Sequence, residues 1–309
     1  MTQLGEEPSS RHHPRLTFRF THEDSNEMTS RLIGWTCAVI AGLTLGWVSL
    51  AGSVLSPAAI SEAAVSPSSP SNPTPIQGGF GTIKGRLVWG GTQIPTPAIL
   101  VKKGDASVKD AEVCASTDLL SRELIVDPAS KGIRYAFAFL RSPSGKNPEA
   151  EKALLAQEVV VDQKNCEFLP YATLVFAGQQ VIFRSSDPIG HNLRYSGFRN
   201  PAKNVVMAPN SEFTEKLLPE RLPLELRCDI HPWMKGWVLP LDHPFFAMTK
   251  EDGSFEISGV PAGKQSLVVW QEKVGYANPE GSRGTTVMVQ AGQTTDVGVI
   301  TLDPGKVKN

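Results

Sequence analysis

The chain has no surplus of charge of either sign. Thirty Lys and Arg stand against 31 Asp and Glu, for a net charge of −1. There is no long basic run and no zinc-finger spacing, so the electrostatic footprint of a nucleic-acid partner is missing. The sequence also lacks a Gly-rich phosphate loop, a Gly-x-Ser-x-Gly elbow and a His-Glu-x-x-His helix, which removes nucleotide hydrolysis, α/β-hydrolase chemistry and zinc-protease chemistry. Asp187 and Asp229 are acids of the kind that glycoside hydrolysis uses, but the sequence does not fix their separation. Histidine and cysteine are scarce. Beyond residue 79 only His191, His231 and His243 occur, and the whole chain holds four cysteines. Where they fall is therefore informative.

Residues 1–31 form a polar tail of mixed sign. Leu32 to Leu55 comes next, 24 residues without a charge, more than the ~20 that span a bilayer as a helix. Gly34, Gly42, Gly46 and Gly52 within that uniform apolarity suit lipid better than a globular core. The run reads as a non-cleaved anchor, with a long signal peptide as the alternative. Either reading exports the remainder of the chain to the periplasm or another extracytoplasmic space, and the first makes the membrane a partner. Residues 56–79 carry Pro57, Pro67, Pro70, Pro73 and Pro75 among Ser, Ala, Asn and Thr, a composition that makes a spacer and not a core.

After the spacer the sequence is punctuated into short apolar or alternating runs, among them Thr82–Trp89, Tyr135–Arg141, Ala172–Phe176, Gln180–Arg184, Leu224–Cys228, Gly236–Asp242, Ser254–Val260, Ser266–Glu272 and Thr295–Leu302. Glu123–Asp127 is a further expected strand, and Pro148–Ala156 the one expected helix. Many short strands separated by Gly and Pro predict an all-β fold of sandwiches. Cys37 lies in the apolar run. In an exported chain the spare pair Cys114 and Cys166 favours a disulfide, the alternative being two buried thiols.

Cys228, His231 and Met234 make a Cys-x-x-His-x-x-Met cluster, with His191 37 positions upstream. Thiolate, two imidazoles and a thioether are the ligand set of a mononuclear blue-copper site. Soft sulfur suits reduced copper and imidazole suits both oxidation states, so a ligand cage of this kind rearranges little when an electron moves. Strand signals flank the cluster on both sides. His243 is first a turn residue, and second a substitute for Met234 in another metal geometry.

On these residues the chain resembles the cupredoxin family over about Ala172 to Leu241. The stretch from Gly178 through Asn192 is similar to that family's first-ligand strand, and the short loop is of the amicyanin kind. The wider chain is similar to exported proteins described as plastocyanin-like or methylamine-utilisation proteins. The resemblance implies His191, Cys228 and His231 as equatorial copper ligands, Met234 as axial ligand, and Asn192 as a hydrogen-bonding brace on the Cys loop. It also implies that an exposed edge of His231, beside Pro232 and Trp233, passes electrons to a partner protein. Farther on, an Asp252-Gly253 turn, Phe255 and Val260-Pro261-Ala262-Gly263 resemble the carboxypeptidase regulatory-like β-sandwich. The expected plan is a cupredoxin-like Greek-key domain over 80–245 and a second sandwich segment over 246–303. The expected function is one-electron transfer and not enzymatic, since four protein ligands leave no open coordination position. The alternative is a carbohydrate-binding or adhesion module, with aromatics such as Trp270 and Tyr276 stacking on glycans.

Overall fold

A computed structural model describes residues 78–308. The polar tail, the apolar run, Cys37 and most of the Pro-rich spacer lie outside the described residues. Among the described residues no helix is long and apolar enough to cross a membrane.

In chain order the strands are β1 (Phe80–Trp89), β2 (Ile99–Val101), β3 (Leu119–Leu120), β4 (Phe137–Leu140), β5 (Val159–Lys164), β6 (Glu167–Leu169), β7 (Ala172–Phe176), β8 (Val181–Ser185), β9 (His191–Tyr195), β10 (Lys203–Met207), β11 (Ser211–Glu215), β12 (Leu224–Arg227), β13 (Lys235–Leu241), β14 (Phe246–Met248), β15 (Ser254–Pro261), β16 (Gly263–Gln271), β17 (Gly275–Tyr276), β18 (Thr285–Val289) and β19 (Thr294–Leu302). Two helices interrupt them, α1 (Ala111–Cys114) and α2 (Pro148–Leu155). α2 starts where the sequence demands it. Asn147 caps it by accepting from the Ala150 amide, Pro148 opens the first turn, and Glu149 and Glu151 come next, all favourable at a helix N-terminus.

Two sandwiches result, and the fold is all-β. The first packs the sheet β10-β9-β12-β13-β7 on the sheet β11-β8-β5-β6. Its core includes Val161, Phe168, Val175, Phe183, Leu193, Leu226 and Val238, and it also takes in Cys228 and Met234. The second is built from β15-β1-β19 and from β14-β4-β16-β17, with β18 on β16. Its core holds Ile83, Leu87, Phe255, Ile257, Leu267 and Val269. The chain therefore does not divide at 245/246 as the sequence suggests. β1 pairs with β15 and β19, and β4 pairs with β14 and β16, so two strands from before that boundary complete the second sandwich. The physical reason is burial on both faces. β4 is buried at all four positions. Ala138 and Leu140 face the second core, while Phe137 and Phe139 join Tyr171, Leu239, Leu241, Val268 and Trp270 in a cluster drawn from both sandwiches. Alternation along a strand sends successive side chains to opposite faces, and here both faces are interior.

Polar groups reinforce that junction. Glu272 accepts hydrogen bonds from Tyr171 Oη at 2.6 Å and Trp237 Nε1 at 2.5 Å, and pairs with Lys235 Nζ at 3.0 Å. In the Asp252-Gly253 turn, Gly253 has φ of 78°. A Cβ there would meet the Leu87 carbonyl oxygen at 2.1 Å, so glycine is required by both conformation and space.

Local pattern misled in two places. Glu123–Asp127 is not a strand and contributes only a bridge from Val126 to Ile133. β9 and β10 lack the apolar runs that mark the other strands, and His191, expected on a turn, is the first residue of β9, opposite Met207 of β10.

Candidate metal centre

His191 enters β9 from the turn 186–190, and Cys228 directly succeeds the last residue of β12. The loop 228–234 leaves and returns in register, with Arg227 opposite Lys235. It is pinned internally: the Met234 amide donates to the His231 carbonyl at 2.9 Å, and the Cys228 amide to the Met234 carbonyl at 3.4 Å. Asn192 clamps it from the neighbouring strand. Its Oδ1 accepts from the Asp229 amide at 2.6 Å and the Ile230 amide at 3.3 Å, while its own amide points at the Cys228 sulfur, 3.5 Å away.

Three ligand atoms converge. The Nδ1 atoms of His191 and His231 lie 2.9 Å apart, and Cys228 Sγ is 4.0 Å from the first and 3.7 Å from the second. Bonds from a small divalent cation run to ~2.0–2.1 Å for imidazole nitrogen and ~2.3 Å for thiolate, so no edge of this triangle is too long for one shared ion. His191 and His231 are 0% exposed, Cys228 2% and Met234 1%. Met234 sits in the same core cluster as Cys228. A dry pair of imidazoles beside a thiol fits copper in both oxidation states, and a thioether nearby adds a soft donor.

Each imidazole turns its outer nitrogen to a carboxylate. His191 Nε2 is 2.8 Å from Asp187 Oδ2, and His231 Nε2 is 2.9 Å from Asp110 Oδ2. Such partners fix the tautomer and leave the inner nitrogen free to bind metal. Asp187 also accepts from the amides of Asn165 and Cys166, at 2.7 and 2.9 Å. Sequence proximity could have flagged Asp187, four residues before His191. Asp110 lies 121 residues from His231 and carries no local signal.

This geometry sets the charges. Burial pushes the Cys228 thiol up, but hydrogen bonds with His191 and His231 outweigh it and bring the group down to about 6. Burial also disfavours the charged form of His191, yet Asp187 and Cys228 raise it to about 9. Burial pushes Asp187 up, and its bond to His191 and the two amides hold it below the usual carboxylate range. Both shifts run in the direction that favours a charged pair, His191 as imidazolium and Cys228 as thiolate.

The remaining candidates sit elsewhere. His243 is buried, with Nε2 2.7 Å from the Leu140 carbonyl and Nδ1 accepting from the Phe245 amide. Both ring nitrogens are engaged, so it does not substitute for Met234. Asp229 faces outward and pairs with Arg194 at 2.8 Å, which leaves no carboxylate pair with Asp187. Cys114 and Cys166 are disulfide-bonded, their Cα atoms 5.2 Å apart. The exposed edge of His231 expected as an electron port is absent: the segment between β2 and β3 folds over that histidine, and Asp110 occupies the position solvent would have taken. Trp233 lies against the His231 ring, centroids 5.3 Å apart, and its indole nitrogen is buried without a partner among the described residues.

No protein-family model matches the chain, and no curated protein matches it. Solved structures of copper proteins do. A reduced Cu(I) form of an amicyanin mutant is 19% identical, covering 33% of this chain and 97% of its own, with a TM-score of 0.25. A purple cupredoxin from Nitrosopumilus maritimus is 17% identical over 27% of this chain and 97% of its own, with a TM-score of 0.23. A copper-containing nitrite reductase from Thermus scotoductus SA-01 is 19% identical over 27% of this chain, with a TM-score of 0.25, and this chain spans only 22% of its length. The case for a metal centre rests on the geometry of His191, Cys228 and His231.

Proposed function

We propose that the chain is an exported copper-binding protein of cupredoxin type that passes single electrons, in which His191, Cys228 and His231 would hold the ion and Met234, in the same core cluster as Cys228, would add a weaker soft donor. The observation that carries this reading is the buried triangle of two Nδ1 atoms and one sulfur, 2.9, 3.7 and 4.0 Å on a side. Copper bound there would supply a one-electron couple. The protein's part is to hold its ligands still and dry. Asn192 fixes the Cys loop, Asp187 and Asp110 fix the rings, and the packed core behind Cys228 and Met234 excludes water. Four protein ligands leave no position for a substrate, so we assign no catalytic role. We read the 24 uncharged residues from Leu32 to Leu55 as a membrane anchor and the Pro-rich stretch as its spacer, with the second, carboxypeptidase regulatory-like sandwich as scaffold. The glycan-binding alternative lacks a platform at Trp270, which is 8% exposed and packed on Phe137 and Trp237.

One observation favours copper retention as a second reading of the same site: His231 is covered, and with it the shortest way for electrons to leave. Titration with Cu(II) should give an intense thiolate-to-copper band in the visible, and Cys228→Ser should abolish it. Wild-type protein that takes up no copper, or takes it up without that band, would overturn the type 1 assignment. Tight, coloured binding with electron exchange far slower than that of a free carrier would favour retention over transfer.

A further inference from the structure

The segment 102–118, between β2 and β3, is tied down on every side. Its ends meet through the Gly104 amide on the Ala115 carbonyl at 2.8 Å and the Lys103 amide on Asp118 Oδ1 at 2.7 Å. Asp110 stands at its apex in a left-handed conformation, φ 54° and ψ 42°, which aspartate tolerates better than most residues. The amides of Val113 and Cys114 both donate to its carbonyl at 3.0 Å. Four residues on, Cys114 is bonded to Cys166. The Cys166 amide in turn donates to Asp187, the carboxylate on His191. One covalent bridge therefore ties the segment that carries Asp110 to the residue that donates to Asp187, and His231, in contact with Asp110, has no exposed surface.

We propose that Asp110 is a positioning residue for the metal centre, and that the segment 102–118, held by the Cys114–Cys166 bridge, is a strap that must lift before a metal ion can enter or leave. The inference rests on the metal reading above. Asp110 holds His231 Nε2 at 2.9 Å, which orients the ring with Nδ1 on the side of Cys228 Sγ, 3.7 Å away. The strap then slows exchange by covering the ring from outside. Outer carboxylates of this kind are worth about 10–100-fold in metal affinity.

The test uses the full-length chain loaded with Co(II), whose thiolate charge-transfer band reports Cys228 coordination without redox chemistry, and tracks release to excess EDTA. Asp110→Ala should release Co(II) at least about 10-fold faster than wild type while keeping the thiolate band. Asp110→Asn, which retains an oxygen acceptor and suits the same backbone conformation, should restore most of the retention. Cys114→Ser/Cys166→Ser should also accelerate release, and Asp110→Ala covers the case in which that pair fails to fold. Equal release rates for wild type and Asp110→Ala would overturn the strap while leaving the metal centre standing. Wild-type protein that shows no thiolate band with Co(II) would overturn both.

Discussion

Lowering the pH sets protons against the metal at two named atoms. His191 Nε2 hydrogen-bonds to Asp187, so the proton that His191 retains up to about 9 is the one on Nδ1, which lies 2.9 Å from His231 Nδ1 and 4.0 Å from Cys228 Sγ. Cys228 stays ionised down to about 6. Between those values the metal-free centre carries one proton that a metal ion must displace, because only the unprotonated nitrogen and the thiolate can bind. Protonation competes with the metal, so affinity rises with pH. It should fall about tenfold for each unit below about 9, since each unit is worth about 1.4 kcal/mol. Below about 6 a second proton joins and the loss steepens to about a hundredfold per unit. From pH 8 to pH 6 the apparent affinity should therefore drop about 100-fold. Competition against a chelator of known pH dependence, at fixed ionic strength, measures this directly. An affinity flat between pH 8 and 7, or falling with a two-proton slope there, would refute the imidazolium–thiolate description.

Packing gives two further expected outcomes. Asn192→Ala removes the acceptor shared by the Asp229 and Ile230 amides and should cost about 1–3 kcal/mol of stability; an unchanged melting temperature and unchanged metal retention would show that the clamp is idle. Trp270→Ala opens a void beside Phe137 and Trp237 and should cost about 3–5 kcal/mol, read as a shifted midpoint in chemical denaturation. A loss below about 1 kcal/mol would mean that this wall is not well packed.

Legibility in the sequence depended on how local each signal is. Cys228, His231 and Met234 are legible because one short loop carries them, and His191 because histidine is rare here. Strands such as Ala172–Phe176 and Ser254–Pro261 are legible from apolar composition or alternation. β9 is not, because its buried positions include His191 and Asn192, which are polar and held by specific partners. The placement of β1 is hidden too. Its alternation shows that one face is buried, but nothing in it says that its neighbours are β15 and β19, which lie at the far end of the chain. Asp110 is hidden for the same reason, and with it the burial of His231. Only the pairing of Cys114 with Cys166 could have hinted that residues near 110 approach the metal loop.

The cluster of Phe137, Phe139, Leu239, Leu241 and Trp270 makes the half that carries His191, Cys228 and His231 inseparable from its companion. Cutting out residues 159–241 as a smaller unit would lay bare an aromatic wall and strip Lys235, at the exit of the loop 228–234, of Glu272 and Glu123. Such a fragment should self-associate when expressed alone. Exchanging the loop 228–234 within the intact chain is the sounder route to altering what the site binds.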